Sequence, residues 1–171
     1  MTQELLDLKN CILEGRYDDA LILVDELEWM SKKGILQNIE SFLVRMLVHL
    51  IKNQVEQRLT NSWVVSIRDS ILKIQSLNLK ENKTSYYLNQ DEWDYMFETA
   101  FEDAIFAASA EVAHGAYNPQ QLMEIVDKNE IINIANKFLK LTYSQSAKTL
   151  RAAISEEVTQ LAGGEDWKLG K

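Results

Sequence analysis

The chain holds one cysteine, one proline and six glycines among 171 residues, and each scarcity removes a class of protein. A lone Cys11 cannot close an intrachain disulfide, so nothing points to an oxidising compartment. So little proline and glycine cannot supply the turns of a β-sandwich or barrel, and neither period-two alternation nor an Asn-Gly hairpin signal occurs. No run approaches eighteen consecutive apolar residues, and the opening "MTQELLDLKN" has no basic stretch leading into an apolar one. The expectation is a cytoplasmic protein without membrane contact. Lys and Arg are also missing between positions 84 and 127, where nine Asp and Glu fall. Residues 1–80 are nearly balanced, so the net charge of −8 is set in the second half. That sign opposes general binding to phosphate backbones, and no Lys/Arg cluster with interleaved aromatics offers direct nucleic-acid contact.

What the chain does hold is apolar periodicity. Hydrophobic residues make up 46% of it, with four tryptophans and six tyrosines, enough for a core without staples. Thr2 is placed to cap a first helix that ends at Gly15, and a second helix restarts near Tyr17 and stops at Gly34. Residues 2–33 thus read as an αα-hairpin. Gly15, Tyr17 and Ala20 match the start of one tetratricopeptide unit, but no second copy follows, which excludes a repeat array.

From Ile35 to Leu59, Leu36, Ile39, Leu43, Met46, Leu47, Leu50 and Ile51 recur at steps of three and four, predicting a central helix. Asn61 or Ser62 caps the next, with Trp63, Ile67, Ile71 and Ile74 on one stripe. "NLKENKTSYYLNQ" reads as the longest loop. A helix from Asn89 or Asp91 to Gly115 turns Trp93, Phe97, Phe101, Ala104 and Ala108 inward. Asn118 before Pro119 is an N-cap with proline at the first helical position. Further helices cover "NEIINIANKFLK" and a segment capped by Ser144 or Ser146 that runs to Leu161. The fold expected is an all-α bundle of six to eight helices. Its divisions are a bundle over 1–128, a C-terminal helical extension over 129–164, and a flexible tail over 165–171.

Between Glu14 and Gln75 the chain carries "EGRYDDALILVDELEWMSKKGILQNIESFLVRMLVHLIKN" and "NSWVVSIRDSILKIQ". This block resembles the bacterial, largely cyanobacterial family catalogued as domain of unknown function 29. The matching residues are Glu26, Glu28, Met30, Arg45, His49, Leu50, Lys52, Ser62, Trp63, Ser66 and Ile67. The resemblance implies a helical, cytosolic protein and carries no agreed activity. Asn53 stands where the family usually has tryptophan.

Three groups of residues bear on chemistry. His49 lies at the edge of its helix's apolar face, with Arg45 and Lys52 a turn away. It reads either as a general base or metal ligand, or as a half-buried ring donating to a carboxylate or backbone carbonyl of a neighbouring helix. Glu111 and His114 have the Glu-x-x-His spacing of ferritin-like bundles, and Glu111 is expected to point inward and pair with Arg45, Arg68 or His114. A single zinc on His49, Glu111 and His114 is the alternative, requiring the three to converge. No cofactor is expected.

The third group, Asp94, Glu98 and Glu102, stacks at intervals of four with Asp91 near the same face. Like charges at that spacing repel. The stripe is either a solvated face or a docking surface for a basic partner, or for Arg45, Lys52, Arg58 and Lys73 of the same fold. Phosphate-loop, dinucleotide, Gly-x-Ser-x-Gly and His-Glu-x-x-His signatures are all missing. Cys11 reads as a small core residue. Leu150, Ala153, Ile154, Val158 and Leu161 form a stripe that packs on the bundle or serves a homodimer or partner. The function expected is a non-catalytic protein-interaction or regulatory module, with an enzyme centred on His49, Glu111 and His114 as the alternative.

Overall fold

A computed structural model describes residues 2–171, and it is all-α, as the periodicity predicts. The helices are α1 (Gln3–Leu13), α2 (Tyr17–Glu56), α3 (Asn61–Asn78), α4 (Asp94–Ser109), α5 (Pro119–Ile125), α6 (Lys128–Ser144), α7 (Ala147–Val158) and α8 (Gly164–Lys168). A 3-10 turn spans Val112–Gly115. Among the described residues the only extended pairing is an isolated bridge between Leu79 and Tyr86.

The predicted break at Gly34 is absent. α2 runs unbroken for 40 residues, because a glycine ends a helix only where the backbone turns left-handed, and here Ile35 and Leu36 continue the helical pattern. Contacts divide the chain into two compact units, one ending at Gln37 and one spanning Asn38–Lys171. The boundary therefore falls inside α2 and differs from the expected division at 128.

In the first unit α1 turns into α2 through Gly15 at φ +73, and the Arg16 amide donates to the Cys11 carbonyl at 2.8 Å. The Arg16 guanidinium pairs with Glu14 and Asp19. Cys11 and Ala20 are buried, whereas Leu5, Ile12, Tyr17 and Leu21 are exposed.

The second unit holds the main core. Ile39, Leu43, Met46, Leu47, Leu50 and Ile51 of α2 are fully buried, with Ile67, Ile71 and Ile74 of α3, Phe101 of α4 and Phe138 of α6. Each such side chain stabilises the fold by about 1.5–3 kcal/mol relative to exposure. α2 is long and apolar enough, by length and composition, to cross a membrane. A core helix passes the same test, and here that apolar surface includes the core residues just named. α3 packs on α6 and α7, α6 on α7, and α4 on α5. Leu150, Ile154, Val158 and Leu161 are buried, so the C-terminal stripe is committed to the bundle and is not open to a partner.

Local chemistry sets the helix ends. Thr60, not Asn61 or Ser62, caps α3 by accepting from the Trp63 amide, which leaves the Asn61 side-chain Oδ1 free to accept from Trp167 Nε1 at 3.1 Å. Asn118 and Gln121 form a reciprocal capping box around Pro119. Ser146 and Thr149 do the same for α7. Residues 165–171 contain most of α8 and the half-buried Trp167, where a loose tail was expected. Gly163 and Gly164 do more than end a helix. A Cβ on Gly164 would lie 2.5 Å from the Thr159 carbonyl oxygen, and one on Gly163 3.0 Å from the Leu59 nitrogen, so only glycine permits these approaches.

The long loop after α3 is fixed by a buried polar network. Asn78 donates to the Leu88 carbonyl and accepts from the Leu88 amide. Tyr143 donates its hydroxyl to the same carbonyl at 2.6 Å while accepting from Trp93 Nε1 and Asn78. Burial pushes the Tyr143 phenol up from its ordinary value, which keeps that donated proton in place.

Candidate functional site

The residues that carried the resemblance fall in two places. Glu26, Glu28 and Met30 sit exposed on the first part of α2. Arg45, His49, Lys52, Trp63 and Ser66 gather where α2 meets α3 in the second unit. Arg45 donates to Asp69 at 2.8 Å and to the Ser66 hydroxyl at 3.4 Å, linking the two helices. Lys52 is 8% exposed, with its ammonium 4.9 Å from the centre of the Trp63 ring and 3.6 Å from Glu111 Oε1. Arg58 adds a second cation 4.7 Å from the same ring while pairing with Glu56. The indole thus meets positive charge from two residues, which its electron-rich faces favour.

His49 lies beside this group. Its Nδ1 donates to the Arg45 carbonyl at 3.0 Å, because a carbonyl can only accept. Burial holds the ring below its usual imidazole value, helped by Lys52 and Arg45 and opposed by the Arg45 carbonyl bond and Glu111. The ring is accordingly a neutral imidazole of the Nδ1–H tautomer, tied to its own helix. The ring is half-buried, as one of the two readings required, but its acceptor lies on its own helix and not on a neighbouring one.

The Glu-x-x-His pair does not form as a helical motif. α4 ends at Ser109, and Ala113 and His114 take left-handed backbone angles, φ 49 and 58, followed by Gly115 at φ 78. With the helix unwound, Glu111 and His114 no longer stack one turn apart. Glu111 is exposed rather than inward, and its partner is Lys52, not Arg45, Arg68 or His114. Among the described residues no three His, Cys, Asp or Glu side chains gather so as to hold a metal ion. His49, Glu111 and His114 therefore do not make the triad that the zinc reading required.

Asn53 has a local explanation. Buried to 4% exposure, its amide donates to the carbonyls of Arg58 at 3.0 Å and Ala162 at 2.8 Å. It ties the end of α2 to the turn before α3 and to the glycine turn before α8. A tryptophan there could not make both bonds.

The acidic stripe is real but splits in two. Asp91 lies in the turn before α4, which begins at Asp94, and these two carboxylates line a cleft opposite Lys137 and Lys140 of α6. Glu98 and Glu102 stand exposed on α4 with no ion pair among the described residues. Arg45, Lys52 and Arg58 are engaged elsewhere, so the stripe is not neutralised by them. Sequence reasoning missed the aromatics on this face. Tyr95 is 80% and Phe106 64% exposed, and with Thr99 and Glu102 they follow the four-three-four spacing of a single helical stripe. The signal was present in that spacing, but the inward stripe of Trp93, Phe97 and Phe101 accounted for the helix without them. Thr99 donates to Glu40 at 2.8 Å, which brings one more carboxylate to the edge of the face.

A family model described as "Domain of unknown function DUF29" matches residues 16–129. The chain belongs to the DUF29 family. The match takes in both halves of α2, all of α3 and α4, and the left-handed turn at 113–115. The DUF29 region thus contains the Lys52–Trp63–Glu111 cluster and the exposed face of α4. No curated protein and no solved structure matches the chain.

Proposed function

We propose that this DUF29 protein is a non-catalytic interaction module whose α4 face captures a basic amphipathic segment of another protein. The observation that carries the reading is the pairing of Tyr95 and Phe106, both largely exposed, with Glu98 and Glu102 between and beside them on one helix face. Exposed aromatics supply contact area at low entropic cost, and the flanking carboxylates supply orientation and choice of charge. A helix with Lys or Arg along the margins of a Leu-rich stripe matches both properties. The absence of any Lys or Arg between positions 84 and 127 leaves nothing on α4 itself to compete.

The test uses a labelled Arg/Leu amphipathic helical peptide, titrated against the full chain by fluorescence anisotropy. Glu98→Lys with Glu102→Lys should weaken binding by about tenfold or more and remove its salt dependence. Tyr95→Ala with Phe106→Ala should weaken it at all salt concentrations. Equal affinity for the native chain and the charge-reversed variant, with both melting alike, would end the proposal for this surface.

A further inference from the structure

The molecule is acidic, yet one cleft reverses the sign. Between the loop after α3, the end of α6 and the start of α7 lies a cleft of about 710 Å³. Lys80, Lys83 and Arg151 line it with a single acid, Glu81. None of the three cations has a carboxylate within ion-pair distance among the described residues. Arg151 spends one N–H on the Ala147 carbonyl of its own helix and keeps the rest of its fork.

The loop is built to hold two of these charges. Asn82 accepts from the amides of Thr84 and Ser85, and Lys83 takes a left-handed backbone at φ 58 while donating its amide to the Lys80 carbonyl at 2.8 Å. That conformation is strained for a residue with a Cβ. At the base, Gln75 donates to the carbonyls of Thr142 and Gln145, which closes the end of α6 and leaves the cleft floor to Leu72, Leu79 and the Tyr86 ring. Tyr86 is itself braced edge-on against Tyr143, with centroids 4.7 Å apart. Ser146 and Ala147 at the start of α7 line the same end, where the capping box engages the Thr149 amide and not those of Ala147 and Lys148.

We infer that this cleft binds a small molecule carrying a phosphate group on a flat apolar body, a mononucleotide being the fitting class. The cations and the α7 amides take the phosphate, and Leu72, Leu79 and Tyr86 take the body. The volume lies within the ordinary range of small-ligand sites. A polyanion is disfavoured because the net charge of −8 surrounds this cationic cleft with a repelling field.

The experiment is a titration of the isotope-labelled full chain with adenosine monophosphate and, separately, with inorganic phosphate, followed by amide NMR. Shifts should centre on positions 79–86 and 145–151, with the nucleotide binding about tenfold more tightly than phosphate. Lys83→Glu and Arg151→Glu, both exposed positions, should each weaken nucleotide binding by about tenfold or more, and unchanged melting shows that they still fold. No shifts in the millimolar range, shifts elsewhere, equal affinity for the two anions, or binding indifferent to both variants would each overturn the inference.

Discussion

His49 shows how much one side chain's surroundings decide. Its folded-state value is depressed, chiefly by burial, so below the ordinary imidazole value of 6.5 the unfolded chain takes up a proton more readily than the folded one. Stability from this residue is complete above that value and falls as pH drops towards the folded value. Unfolding by urea at about pH 7.5 and about pH 5.5 should show a loss on acidification that shrinks in His49→Gln. An equal loss in both would assign it to other groups. At Asn53 the stakes are hydrogen bonds alone. Asn53→Ala removes the buried donor to the carbonyls of Arg58 and Ala162 and should cost about 1–3 kcal/mol in chemical denaturation.

Among the elements, α2 carries the clearest test of what sequence can and cannot reveal. The apolar steps from Ile39 to Ile51 and the Asn118–Pro119 start of α5 were legible because one rests on burial and the other on local cap chemistry. The continuity of α2 was not, since Gly34 stops a helix or sits within it according to whether the backbone turns left-handed. Gly34 has open space around it and lies in the helix, so Gly34→Ala should stabilise the chain by about 0.5–1 kcal/mol. A fall in melting temperature would mean that a bend at that position is needed. The opposite failure occurs at Ala113 and His114. Alanine is the best helix former, yet α4 stops before it, Val112 is buried and Glu111 reaches Lys52. Tertiary contacts override propensity there, which is why a Glu-x-x-His motif sound in spacing did not form. The fold class was thus readable from periodicity. The candidate surface on α4 was readable only for its charge, because exposure of Tyr95 and Phe106 depends on which faces the other helices cover.

For the whole molecule, the uneven placing of the core predicts uneven stability. The segment 38–171 holds nearly all the fully buried large side chains. It should keep its helical circular dichroism and a cooperative melt when expressed alone, whereas a peptide of residues 1–37, a two-helix hairpin, should be largely unfolded. A non-cooperative melt of the longer fragment would show that it depends on the preceding residues.

The burial of Cys11 gives this division a chemical clock. As the sole thiol of the chain and 3% exposed, it can react with a labelling reagent only when its surroundings part. The rate of labelling under native conditions thus measures the opening of the N-terminal hairpin by itself, with no mutation and no probe introduced.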